Sequence, residues 1–218
     1  MAGVALHGVS QMFATGVVQV AASRAASSWP WYVVRAAGLV AAGLLVLLIL
    51  SGIGQVTGLT YKFIEPIKAW ALHKAMALAL CGAIAVHVSF LLVDRYLPFT
   101  IAQVSIPFVS QYSNHTTLLG LGLGGVALAL GILAGYGVII VVLSSLGWID
   151  TKQKAWRQLH YVNYFVVAAV FVHALGVGSD LKYGLFRQAW EALGVVILLA
   201  VLSRLWHAGT IRKKLERE

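Results

Sequence analysis

The sequence is short of acid and of thiol. Of its 218 residues only 7 are Asp or Glu, and one is Cys. The lone Cys81 lies in an apolar run, so no intramolecular disulfide can form and cysteine usage is silent about redox compartment. A chain so poor in thiolates and carboxylates also lacks the supporting ligands of a copper or zinc site. Charged residues make up only 11% of the chain against 60% hydrophobic, and no soluble domain of this size can bury so much apolar side chain. No basic residue precedes Arg24, so the positive n-region of a secretory signal is missing. Internal repeats, soluble domains and low-complexity tracts are absent too.

What the chain does have is apolar stretches of about twenty residues, each long enough to span a bilayer. They predict an all-α, polytopic membrane helix bundle of five spans. The spans run from about Trp31 to Val56, Ala69 to Val93, Leu118 to Leu146, Trp156 to Val177 and Leu185 to His207. The cluster Trp29-Pro30-Trp31-Tyr32 opens the first at the interface. Residues 1–28 carry a polar stripe, His7, Gln11, Thr15 and Gln19, and read as an amphipathic interfacial segment. A sixth, weakly apolar span is the competing reading. Residues 29–208 form the transmembrane bundle and residues 209–218 a charged tail.

The formal net charge of +9 would suggest nucleic acid in a soluble protein. Here the positive-inside rule explains it. With five spans, Lys62, Lys68, Lys74, Lys152, Lys154, Arg157, Arg204, Arg212, Lys213, Lys214 and Arg217 fall on one side, and only Arg24, Arg35, Arg95, Lys182 and Arg187 on the other. The richer side is expected to be cytoplasmic, with the N-terminus outside and the C-terminus inside. The expected partner is membrane lipid, not nucleic acid, and the expected place a bacterial inner (plasma) membrane.

Four of the seven histidines lie inside spans, His73 and His87 on the second, His160 and His173 on the fourth. Ionisable side chains at membrane depth are costly and mark function. Spans two and four run in the same direction, so His73 and His160 share the cytoplasmic level and His87 and His173 the outer one. The separations of 14 and 13 residues correspond to roughly 21 and 20 Å of helical rise. Histidines so far apart along each helix cannot share one ion. A haem iron, however, takes one imidazole from each side at one level, and two levels give two haems b stacked along the membrane normal. One detail resists: a spacing of 14 returns to within roughly 40° of the same face, whereas 13 leaves about 140°. A π-bulge or local twist would correct this, yet no glycine or proline separates His160 from His173 to mark one. The plainer reading of the histidines is interhelical bonding or a proton relay.

At these residues the chain resembles the ferric reductase-like transmembrane domain, the haem-bearing core shared by ferric reductases and NADPH oxidases. The resemblance covers about Trp31 to His207. It rests on the histidine spacings, on His73-Lys74-Ala75-Met76, on Trp156-Arg157-Gln158-Leu159-His160 and on Arg35. It implies bis-histidine b haems, an inner pair at His73 and His160, an outer pair at His87 and His173, and Arg35 near the outer haem. Read by itself, Arg35 lies about one turn inside the outer boundary, where a guanidinium can meet a haem propionate or snorkel to water. Lys74 and Arg157 can serve inner propionates or simply anchor the cytoplasmic face. In the oxidases a flavin and nicotinamide domain follows the last span, whereas here only the short charged tail follows. A separate donor, a flavoprotein reductase or a quinol, is therefore expected, as is an acceptor at the outer face. In this the chain is also similar to the membrane haem subunit of bacterial methionine sulfoxide repair, a family that usually lacks one of the four histidines.

Other signals are weaker. Gly120, Gly122 and Gly125 match G-x-G-x-x-G, but no strand precedes them and they fall in the expected third span, so the dinucleotide reading fails its context. With Gly124, Gly131, Gly135 and Gly137 they suit close helix packing. Asn114-His115-Thr116 fits a glycosylation sequon, His115 is a loop histidine, and Cys81 is a spare thiolate ligand made superfluous by the histidines. The sequence thus points to an oxidoreductase component that moves electrons across the membrane. A histidine proton-relay transporter and a structural anchor for a partner enzyme are the rivals.

Overall fold

In the computed structural model five helices among the described residues are long and apolar enough to cross a membrane. Side chains are described for residues 28–95, 97–110, 112 and 124–206, and the backbone alone for 2–27, 117–118, 121–122 and 207–215. The helices are α1 (Ala2–Val56), α2 (Pro66–Val93), α3 (Ile101–Ser105), α4 (Gly124–Trp148), α5 (Gln153–His160), α6 (Val162–Val177) and α7 (Leu185–Leu215). The candidate spans are Ser28–Val56, Pro66–Val93, Gly124–Trp148, Gln153–Val177 and Leu185–Trp206.

Local chemistry sets the boundaries. Gly58 takes φ +77° just beyond α1, the left-handed turn that glycine permits at a helix end. Pro66 opens α2 at its first position, where its missing N–H would be unpaired in any case. Asp94 ends α2, and its carboxylate accepts the Leu97 N–H at 3.0 Å. Thr100 and Gln103 cap α3 reciprocally, side chain to backbone.

The backbone of α1 runs as one helix from Ala2 with Pro30 inside it. The polar stripe of residues 1–28 rests on side chains outside the described residues, as do the Asn114-His115-Thr116 sequon and the side chains of the charged tail. The third span begins at Gly124 and not near Leu118, because Thr117–Leu118 and Leu121–Gly122 pair in a two-residue antiparallel ladder, Thr117 opposite Gly122 and Leu118 opposite Leu121. A glycine-dense stretch is a poor helix former, so Gly122 precedes the membrane helix rather than packing within it.

The bundle is two antiparallel hairpins side by side. α1 packs on α2, and α4 packs on α6, while α7 lies against α1. Each histidine-bearing helix packs against its hairpin partner rather than against the other. The core draws Leu45, Val46 and Leu48 from α1, Ala134 and Val138 from α4, and Val166, Val167 and Ala169 from α6. Gly137 allows the close α4–α6 approach, since a Cβ there would lie 2.6 Å from Val166 Cγ2. Large apolar side chains such as Leu72, Val86, Leu143 and Leu199 are exposed, as suits helix faces turned to lipid.

The fourth span is not one uniform helix. It breaks at Tyr161, whose N–H donates to the Gln158 carbonyl at 3.2 Å, and the Tyr164 N–H donates to the Tyr161 carbonyl at 3.1 Å. Three-residue steps replace four-residue ones, a tightening that adds roughly 20° of rotation per residue. It therefore closes part of the angular offset between His160 and His173. The distortion is an overwound turn, not a π-bulge.

Candidate functional site

α2 carries His73 and His87, and the fourth span carries His160 on the last residue of α5 and His173 on α6. The structure brings them together two by two. The ring centroids of His73 and His160 lie 6.5 Å apart with planes at 41°, and those of His87 and His173 lie 6.4 Å apart at 85°. Two imidazoles hydrogen-bonded nitrogen to nitrogen in line would have centroids about 5.2 Å apart, taking N···N at about 2.9 Å. Two imidazoles sharing one metal axially would stand about 6.3 Å apart, with bonds of about 2.0 Å and ring edges of about 1.35 Å. Both observed separations match the second case and exceed the first by more than an ångström.

The hydrogen bonds behind the rings say the same. His87 Nδ1 lies 2.9 Å from the Val34 carbonyl oxygen, and His173 Nδ1 lies 2.9 Å from the Ala127 carbonyl oxygen. A carbonyl only accepts, so in each ring Nδ1 carries the proton and, in the neutral imidazole, Nε2 keeps its lone pair. The Ser51 hydroxyl lies 3.1 Å from the Leu48 carbonyl oxygen and 2.8 Å from His73 Nδ1, so when it donates to Leu48 it accepts from Nδ1, the same tautomer. This is the tautomer of an Nε2 metal ligand whose orientation is held from outside the coordination shell. His160 Nδ1 is the exception, buried without a partner.

Glycines make these approaches possible. Gly38 lies one turn after Val34, and Gly131 one turn after Ala127. A Cβ on Gly38 would sit 3.1 Å from His87 Cε1 and Nδ1, and one on Gly131 would overlap the His173 ring, 2.9 Å from Cγ and 2.5 Å from Cε1. Gly52 faces His73, its Cβ position 3.5 Å from Cε1. Gly38 and Gly52 are thus spaced along α1 as His87 and His73 are along the antiparallel α2. That matched spacing is present in the sequence, and hydropathy and histidine positions alone give no reason to look for it.

A cavity of about 500 Å³ lies between the hairpins at the level of His87 and His173, in the range of small-molecule and cofactor sites. Its wall is mainly apolar and small, with Gly38, Ala42, Gly131, Ala134 and Gly135. Leu97, Phe99, Val104 and Tyr112, from the connection after α2, contribute to it. Its polar lining includes Arg35, Asp180, Ser179 and Trp190; the Ser179 hydroxyl and Trp190 Nε1 are buried without partners.

Arg35 neither snorkels nor stands free. Its Nε donates to Asp180 Oδ2 at 2.9 Å, and its second nitrogen donates to Asp180 Oδ1. The pair is bidentate, and the Arg35 hydrogen bond holds the Asp180 carboxyl below the usual carboxylate range. Asp180 lies in the turn between α6 and α7, and nothing in the sequence ties it to Arg35. Lys74 is exposed, its ammonium 5.4 Å over the Trp70 ring, and Arg157 is exposed as well.

Among the described residues no three His, Cys, Asp or Glu side chains cluster as a metal site. Each histidine pair could supply two ligands, the number a haem iron takes from protein when its porphyrin provides the rest. The imidazole spacing, the fixed tautomers and the cavity between His87 and His173 fit such a ring.

No family model matches the chain, no curated protein matches it, and no solved structure matches it.

Proposed function

We propose that this chain is a transmembrane electron relay that holds two b-type haems. His73 and His160 would hold one at the cytoplasmic level, His87 and His173 the other at the outer level. The reading is carried by one observation: at two depths, imidazoles of α2 and of the fourth span lie with ring centroids 6.5 and 6.4 Å apart, a separation that would suit two ligands on a shared metal. When bound, such a ring supplies one-electron chemistry between ferric and ferrous iron.

The chain's own residues do the rest. The four imidazoles would hold the two rings, two to each iron, and would leave no iron site open to a small ligand. The Val34 and Ala127 carbonyls and the Ser51 hydroxyl lock three of the rings and raise their basicity as ligands. Apolar side chains of α1, α4 and the α2–α4 connection line the outer level. Arg35, held by Asp180, places a fixed positive charge at the edge of the cavity. Electrons would enter from a separate donor, a flavoprotein reductase or a quinol, and leave to an outer acceptor such as oxygen, ferric ion or a redox partner protein. The charge asymmetry of the connections supports an orientation with the N-terminus outside; electron entry on the cytoplasmic side of a bacterial inner membrane is part of the proposal.

The test is a pyridine haemochrome assay on purified full-length protein, with haem counted against protein. Two haems per chain support the relay and one would leave a histidine pair idle. A colourless protein that takes up no added haem ends it and returns the histidines to proton-relay chemistry.

A further inference from the structure

Lys74 and Arg157, the basic residues that the sequence offers to the His73–His160 level, both lie exposed. Among the described residues, the cation found beside that level is Arg204, on α7. Its guanidinium stands 5.5 Å over the Tyr161 ring and 5.5 Å over the Tyr164 ring, the two tyrosines that follow His160 across the helix break.

Arg204 lies within the candidate span Leu185–Trp206, close to its end, where an arginine ordinarily stretches outward to the headgroups. This one turns across to the two tyrosine rings and is half-buried. Among the described residues it has no carboxylate partner. Next to it, the Tyr164 hydroxyl and His160 Nδ1 are both buried without hydrogen-bond partners. A guanidinium and a phenol at membrane depth with no acceptor between them are a costly arrangement. The acceptor they lack is an anion, and a carboxylate is the shape a guanidinium fork fits best.

We propose that Arg204 is the charge partner of the inner level: braced by Tyr161 and Tyr164, it takes the propionate carboxylate of a ring bound between His73 and His160. The Tyr164 hydroxyl is the second donor to that carboxylate. Arg204 is then a positioning and tuning residue, acting through charge and not on the iron. The inference rests on the two-haem reading above. A positive charge there favours the state with one more electron, so it raises the midpoint potential of the inner haem and leaves the outer one alone.

Redox titration of the haem-loaded full chain, followed optically, tests this. The inner midpoint is assigned from His87→Ala, which keeps only the inner pair. Arg204→Gln is expected to lower the inner midpoint by about tenfold in the reduction equilibrium, about 59 mV for one electron, with the outer midpoint unmoved. Arg204→Lys is expected to recover most of the shift, and Tyr164→Phe to give a smaller one in the same direction. Two bound haems with both midpoints unmoved in Arg204→Gln overturn the proposal while leaving the relay standing. Both midpoints falling together would make Arg204 a structural bolt, which also overturns it. A midpoint that follows the lipid charge of a nanodisc but not Arg204 would mean that the arginine serves lipid phosphate, and the proposal falls in that case too. Should Arg204→Gln fail to fold, Arg204→Lys and Tyr164→Phe decide. A parent protein that binds no haem removes the relay reading and this inference together.

Discussion

If the chain holds two haems as proposed, replacing Gly131 by alanine should cost it the outer one and spare the inner one. Gly131 faces the His173 ring with no side chain of its own, and an added Cβ would lie 2.9 Å from Cγ, 2.5 Å from Cε1 and closer still to Nδ1. Ordinary carbon contacts begin near 3.5 Å, so the ring or the α4 backbone must move by about an ångström. The ring is held by the 2.9 Å bond from Nδ1 to the Ala127 carbonyl, four residues before Gly131 on the same helix, so it cannot retreat without losing that bond. Overpacking of this kind costs about 1–3 kcal/mol, equivalent to about a 5–150-fold loss of haem affinity at this level. Metal–ligand distances tolerate only about 0.2 Å, which places the expectation toward the upper end.

The assay is haem content and optical spectrum per folded protein, with size-exclusion profiles to confirm folding. Gly38→Ala is the graded comparison: its Cβ would sit 3.1 Å from His87, so the neighbour need give only a few tenths of an ångström and the loss should be several-fold smaller. Gly43→Ala, where nothing lies within 4 Å, should change nothing. If Gly131→Ala kept both haems at parental affinity, the claim that this glycine seats the His173 imidazole would be wrong.

Other outcomes follow from the same geometry. His73→Ala or His160→Ala should remove one haem, and His87→Ala or His173→Ala the other, so haemochrome counts fall from two to one in each single variant. Loss of both from any one variant would contradict two independent levels. Ser51→Ala removes the acceptor for His73 Nδ1, and loss of such an outer partner weakens metal affinity by about 10–100-fold. Haem titration should register this at the inner level only. For Asp180, the folded carboxyl is held below its unfolded value of about 3.9. The ion pair with Arg35 is therefore fully present above that value and is lost as the pH falls through the folded one. Thermal melts should show no contribution from this pair to pH dependence between pH 5 and 8, and a loss below about pH 4 that Asp180→Asn lacks.

The sequence alone determined that the chain is a helical membrane protein, with five apolar spans among the described residues, and it put two histidines on each of two parallel spans. Both are local properties, since hydropathy summed over twenty residues fixes a span and helical rise fixes depth. Tertiary structure decided what depends on azimuth and on residues far apart in the chain. The spacing of 13 between His160 and His173 leaves their relative facing open, and the overwound turn at Tyr161 is what narrows it. Arg35 and Asp180 are separated by 145 positions, and only the packing of α1 beside the α6–α7 turn joins them. The same holds for Gly38, Gly52 and Gly131: a missing side chain has meaning only once the neighbouring ring that occupies its place is known. The start of α4 falls six residues later than hydropathy places it, because Leu118 to Leu123 is apolar enough to enter the membrane. Its ladder arises from pairing between residues, and a hydropathy sum cannot register pairing.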